Sequence, residues 1–199
     1  MSEIKVNKVS PATGTAITLG DSGDTFTVPS GATIVNSGTA TGFGGGKVKQ
    51  IKYTTNSTYS TVAGSSSNIP LDDSIPTSSE GTSMSLDVTL TASSATNLLL
   101  FQGVVNWAHS SYGDMIGALF NGTTCVWASK CEASNTSPNQ LDQLIINYVM
   151  QAGSTSSQTF SVRIGRNTAG TLYINGGETS GRKFGGTLIS QLIVTELEP

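Results

Sequence analysis

The chain has 199 residues, a formal net charge of -3, and only 12% charged residues against roughly 25% in an average domain. That length suits one ordinary domain with an appendage. Ten dispersed Lys and Arg in a mildly acidic chain make no basic stripe, which argues against nucleic acid as a partner. Ser, Thr and Gly together make up about two-fifths of the residues, a usage that favours strands and turns over long amphipathic helices.

The opening Met1-Ser-Glu-Ile-Lys5 lacks a charged segment followed by an apolar one, and no stretch reaches the ~18 apolar residues of a membrane span. The expectation is synthesis in a cytosol without a signal peptide and without membrane insertion. In residues 1–46, Ile17-Thr-Leu19, Phe26-Thr-Val28 and Ile34-Val35 recur at nearly regular intervals. They are separated by Gly20-Asp-Ser-Gly-Asp24 and Pro29-Ser-Gly-Ala32, so each unit reads as a strand and a turn. Strands this short cannot bury a core alone, which predicts a stem completed by other copies of the chain; a flexible tail is the alternative. Asp21 and Asp24 could be imagined as calcium ligands, but Asp beside Gly is what a turn requires. Gly42-Phe-Gly-Gly-Gly46 reads as a flexible joint; although Lys47 follows, it lacks the Gly-Lys-Ser/Thr ending of a phosphate-binding loop.

Residues 47–199 have domain size and alternate strands with turns. Strands are predicted over 47–53, 83–90, 98–107, 115–120, 123–128, 143–150, 159–163, 171–174 and 188–196. Met84, Leu86, Val88 and Leu90 share one face of their strand, and Ser85, Asp87 and Thr89 the other, so that strand has one buried and one wet side. The next is apolar on both: Leu99, Phe101, Val105 and Trp107 point one way, and Leu98, Leu100 and Val104 the other. Its outer face is expected to meet something, such as another subunit. Leu141, Leu144, Ile145, Tyr148 and Val149 also fit helical spacing, with Ser137-Pro138 as a start, but their β-branched and aromatic character favours a strand. Ala152-Gly-Ser-Thr-Ser-Ser157 reads as a hairpin-like loop leading to Phe160, Val162 and Ile164. The predicted fold is all-β, a short N-terminal β-repeat stem followed by a jelly-roll-like antiparallel β-sandwich head, trimeric in assembly.

Little of the sequence suggests chemistry. Cys125 and Cys131 stand six positions apart; in one extended strand their sulfurs lie beyond disulfide reach, so free, mostly buried thiols are preferred, while a turn at Ala128–Lys130 would permit a bond. With two Cys and one His, zinc is not expected, and no cofactor motif is present. His109 with Ser110, Ser111 and Asp114 could be assembled into a triad, but six residues on a strand end and loop make divergent side chains, and a loop histidine is the preferred reading. Asp72, Asp73, Glu80, Asp87 and Asp114 yield no obvious carboxylate pair for glycan hydrolysis. Among the aromatics, Tyr173 is noted, and Trp107 and Trp127 lie in apolar strands and read as core. Tyr112, in Ser-Ser-Tyr-Gly-Asp, is the exposed residue best suited to contact a receptor.

The runs Ile4-Lys-Val-Asn-Lys-Val-Ser-Pro11, Leu19-Gly-Asp-Ser-Gly-Asp-Thr25 and Pro29-Ser-Gly-Ala-Thr33 resemble the starts of tail-fibre and other virion proteins of marine bacteriophages, particularly those of cyanobacteria. Ile69-Pro-Leu-Asp-Asp-Ser-Ile-Pro76 with Glu80-Gly81, Ala118-Leu-Phe120, Asn175-Gly176, Gly181-Arg182, Phe184-Gly-Gly186 and Ile193-Val-Thr-Glu-Leu197 are similar to a C-terminal β-sandwich of phage and prophage fibres. The resemblance implies a non-enzymatic virion protein. Its partners would be copies of itself, phage tail or capsid proteins through the N-terminal segment, and a host surface glycan or protein. A tail fibre that binds the host is the first expectation, and a capsid decoration or head-fibre protein the alternative.

Overall fold

The computed structural model describes residues 9–35, 37, 48–63, 68–133, 140–167, 169–179 and 181–199, without the side chain of Ala133. Residues 4–8 of the opening motif, the Gly42–Gly46 joint and Ser137-Pro138 lie outside them. The chain divides into two units, Met1–Gly44 and Gly45–Pro199.

In the first unit the turns fall where Gly, Asp and Pro place them. The Asp24 amide donates to Asp21 O at 3.0 Å, and the Asp24 carboxylate accepts from the Asp21 amide at 2.8 Å. Ala32 closes a second turn on Pro29 O at 3.1 Å. The predicted strands do not form within the single chain: no residue from 9 to 35 is in a strand, and Ile17, Leu19, Phe26, Val28, Ile34 and Val35 are all exposed. A strand exists only by pairing, and these segments find no partner among the described residues of one chain.

The second unit is an antiparallel β-sandwich. Among the described residues its strands are β1 (Val48–Asn56), β2 (Ser60–Val62), β3 (Thr82–Thr91), β4 (Leu98–His109), β5 (Gly113–Asn121), β6 (Thr124–Ala133), β7 (Asp142–Gln151), β8 (Ser157–Arg166), β9 (Leu172–Ile174), β10 (Gly176–Gly177), β11 (Gly181–Arg182) and β12 (Ser190–Leu197), with a 3-10 turn at Phe184–Gly186. No helix among the described residues is long and apolar enough to cross a membrane. One sheet has the order β1-β12-β4-β9-β2, with β7 on the other side of β4; the second has the order β3-β8-β5-β6. The eight long strands thus form two four-stranded layers, β1-β12-β4-β7 and β3-β8-β5-β6, with successive strands repeatedly changing layer, which is jelly-roll topology.

The alternation read from sequence sets the layers. Met84, Leu86, Val88 and Leu90 of β3 are buried while Ser85, Asp87 and Thr89 are exposed. Segment 142–151 is a strand, with Leu144 and Ile146 inward and Ile145, Asn147 and Val149 outward. Phe101 meets Phe160 of the opposite layer edge to face, with ring centroids 4.8 Å apart, and Tyr148 beside it on β7 at 6.0 Å. Trp107 is fully buried; Trp127, on edge strand β6, is half-buried against the same core.

Two expectations are corrected. Segment 152–157 is not a hairpin: β7 pairs with β4 and β8 with β3 and β5, so this loop carries the chain from one layer to the other. Its start is held by Ala152 and Gly153 amides donating to Asn97 O and Ala95 O. Strand β6 runs through Ala133 instead of ending at 128, because an edge strand tolerates the polar Ser129, Lys130 and Glu132 that look like a stop.

That continuous strand separates the thiols. A bulge where Leu119 and Phe120 face β6 shifts the alternation, so Cys131 packs on the inter-sheet core and Cys125 on a second cluster of Ile69, Ile116, Ala118 and Phe120. Both cysteines are free, and burial pushes both thiol pKa values up. In the second cluster Ile69, from the β2–β3 connection, covers the outward apolar side chains of the β3-β8-β5-β6 layer. Gly81 makes that cover possible: its φ is +62°, and a Cβ there would lie 2.5 Å from Ile164 O and 2.9 Å from Ile69 Cδ1. Gly81→Ala is therefore expected to destabilise the sandwich by about 1–3 kcal/mol, measured by urea unfolding.

Candidate functional site

The strands define two ends of the sandwich. Val48, Leu98, Gln151 and Leu197 are neighbours in register at the end where the chain enters. At the other end, β4 finishes at His109, β5 starts at Gly113 opposite Ala133, and β9 starts at Leu172. Twelve residues of β4 at ~3.3 Å each put these ends roughly 35–40 Å apart.

Tyr112 lies at the far end, between β4 and β5, and is 57% exposed. Its hydroxyl donates to Glu132 Oε1 on β6. Lys130 Nζ lies 3.2 Å from Asp114 Oδ1 and 3.5 Å from Glu132 Oε2, so Tyr112, Glu132, Lys130 and Asp114 form a chain of polar contacts along the β5–β6 edge. Such exposed ion pairs contribute about 0–1 kcal/mol each; their effect here is to orient the ring. Sequence reading found Tyr112 but missed Glu132 and Lys130, which lie beyond the predicted end of that strand at 128.

The residues considered for a triad are placed apart by their partners. His109 is not a loop residue: it ends β4 and is 1% exposed, with Nδ1 donating to Ser111 O at 2.7 Å. Burial, opposed in part by that bond, pushes its pKa down. Gly170 packs over the ring so closely that a Cβ there would lie 2.2 Å from Cε1. Ser110 Oγ accepts from the Thr171 amide at 2.9 Å, and Ser111 Oγ donates to Tyr112 O at 3.4 Å. Neither hydroxyl is hydrogen-bonded to the imidazole, so these residues do not form the hydrogen-bonded array of a triad. Of the other carboxylates, Asp72 accepts from the Ser74 hydroxyl and amide, which lower its pKa, Glu80 accepts from the Thr77 amide, and Asp87 is exposed on β3. Among the described residues no group of three His, Cys, Asp or Glu is placed to hold a metal.

A cleft of about 420 Å³ opens near the same end, lined by Thr55, Asn56, Thr58, Ser60, Thr61, Val62 and residues 82–85. Its lining is rich in hydroxyls and holds no titratable side chain, so it can exchange hydrogen bonds with a neutral polar ligand but cannot supply a general acid or base. A buried amide network shapes its wall. Asn175, at φ +55°, donates from Nδ2 to Asn56 O and Thr58 O at 2.9 and 3.1 Å, and accepts from Ser190 Oγ at 2.8 Å. Ser190 Oγ in turn accepts from the Asn106 amide at 3.0 Å. The network sits where β12 leaves β4 and β9 takes its place, satisfying backbone groups that the change of partner would strand.

No family model matches the chain. No curated protein matches it either. Among solved structures, the Eiger TNF of S. frugiperda is similar at 12% identity with a TM-score of 0.44, over 76% of this chain and 94% of that one. The infectious bursal disease virus Gt strain structure is similar at 11% identity with a TM-score of 0.35, over 75% of this chain and 38% of that one.

Proposed function

We propose that this chain is a structural subunit of a bacteriophage particle, a tail-fibre protein that assembles as a homotrimer and binds the host cell surface without covalent chemistry. The observation that carries the reading is the placement of Tyr112: an exposed aromatic, oriented by Glu132, at the end of the sandwich opposite the entry of the chain. The neutral hydroxyl-lined cleft near that end suits a glycan, and the separate engagements of His109, Ser110 and Ser111 support binding over hydrolysis. In this reading the N-terminal unit, with its uncovered apolar side chains, attaches to the tail.

The test is binding of the fluorescently labelled full chain to a panel of intact marine cyanobacterial strains, with competition against phage adsorption. Saturable binding that blocks adsorption is expected, and Tyr112→Ala should weaken it at least about tenfold while changing stability by less than about 0.5 kcal/mol. Binding to purified capsids with no affinity for cells would replace this reading with capsid decoration.

A further inference from the structure

The two layers differ in how their outward faces are treated. Ile69 covers the outward apolar side chains of β3-β8-β5-β6. On β1-β12-β4-β7 the outward positions, read from the register, form continuous cross-strand rows: Ile51, Thr195, Leu100 and Val149; then Tyr53, Ile193, Gln102 and Asn147; then Thr55, Gln191, Val104 and Ile145. Tyr53 is 73% exposed, Ile51 and Ile145 57% each, and Val149 48%. A groove of about 350 Å³ crosses the middle of this face, with Val104, Ile145 and Ile193 around the amides of Gln102, Asn147 and Gln191.

We propose that this face is the surface through which copies of this chain pack on one another; the proposal rests on the oligomeric part of the function given above. Charge selects the occupant. None of the three rows carries an Asp, Glu, Lys or Arg, although the chain as a whole has net charge -3. A partner of a different kind is normally chosen by complementary charge, and a neutral face offers none, whereas identical neutral faces meet without like-charge repulsion and their amides can pair across the contact. Area agrees. Four strands ~4.8 Å apart and about ten residues long span roughly 20 by 30 Å, or about 600 Å² in projection, before side-chain relief is counted. A standard interface needs ~800 Å² of accessible surface per partner, which a face of this projected area reaches once side-chain relief is added. The exposed Tyr53 ring is the bulky group of the face best suited to enter the groove of a neighbouring copy, with its hydroxyl meeting the amides there.

The experiment uses the full chain and three variants. Wild type should sediment at a multiple of 20.5 kDa at micromolar concentration. Ile145→Asp should raise the dissociation constant by about a hundredfold, because it buries an unpaired charge at the contact, while the exposed position leaves the thermal melt unchanged. In the second variant pair, Ile145→Cys and Thr89→Cys are labelled with a bulky maleimide and read by peptide mapping, Thr89 being exposed on the other layer. Residue 145 should react at least about tenfold more slowly than 89 in the assembled protein. Since the N-terminal unit could hold copies together after the heads release, labelling decides the face. Equal labelling of 145 and 89 in an assembled wild type overturns the proposed face and leaves the oligomer standing. A wild type that is monomeric at tens of micromolar overturns both.

Discussion

Phe101→Ala is expected to lower the unfolding free energy of the sandwich by about 3–5 kcal/mol, enough to remove a large part of the stability of an ordinary domain. The ring is fully buried in the middle of β4, the strand that pairs with β12, β7 and β9. It also joins the layers, through the edge-to-face contact with Phe160 on β8 and the neighbouring Tyr148 on β7. Truncation leaves a cavity bounded by strands that cannot close in without breaking their own hydrogen bonds, so collapse is limited. Urea unfolding of wild type and variant should show a lower midpoint with an unchanged slope. A loss below about 1 kcal/mol would mean that the layers are held elsewhere.

The second large effect concerns Glu196, a charged residue with no exposed surface. Its carboxylate accepts from Gln50 Nε2 at 2.6 Å, Asn97 Nδ2 at 2.6 Å, and the amide and hydroxyl of Ser93, each at 2.7 Å. These bonds tie the last strand to β1 and to the β3–β4 connection, and Gln50 Nε2 also donates to Thr91 O. Glu196→Ala removes the shared acceptor and leaves the buried Asn97 amide and the Ser93 amide short of a partner, at a cost of about 2–4 kcal/mol. Burial on its own would raise this carboxyl's pKa, but the donors from Gln50, Asn97 and Ser93 outweigh it and hold the value at about 2, below the ordinary 4.5. A depressed folded-state pKa means that the ionised form favours the fold. The stabilisation is complete above the unfolded value near 4.5 and is lost progressively as pH falls toward about 2. Urea midpoints measured from pH 7 to pH 2.5 should fall across that window in wild type, and fall less steeply in Glu196→Gln; parallel profiles would remove Glu196 from the acid response.

Glu196 left a trace in the sequence, since it shares strand parity with Leu192 and Val194 and so occupies an inward position. What the sequence could not show was its partners, because Ser93 and Asn97 lie about a hundred positions away. The Asn106–Ser190–Asn175 network is hidden for the same reason: each member alone reads as an ordinary turn or strand polar residue. Tyr112 was legible because Ser-Ser-Tyr-Gly-Asp is a local turn signal, whereas its anchor Glu132 depends on cross-strand register within the β5–β6 pair.

Alternation and turn residues are local properties, so the sequence by itself determined that this protein is built of strands, where most of them lie, and which side of β3 turns inward. That β4 is apolar on both faces was visible in the same way, and only the structure decided which of them turns inward. Pairing is a long-range property, and only the tertiary structure decided it. It set β4 between β12 and β7, drew the chain across layers at 152–157, buried His109, put the two cysteines on opposite faces through one bulge, and left residues 9–35 without strand partners. The physical reason is that a strand's faces are set by its own pleat, while its neighbours are chosen by which distant segments together exclude the most apolar surface and leave the fewest buried polar groups unmatched.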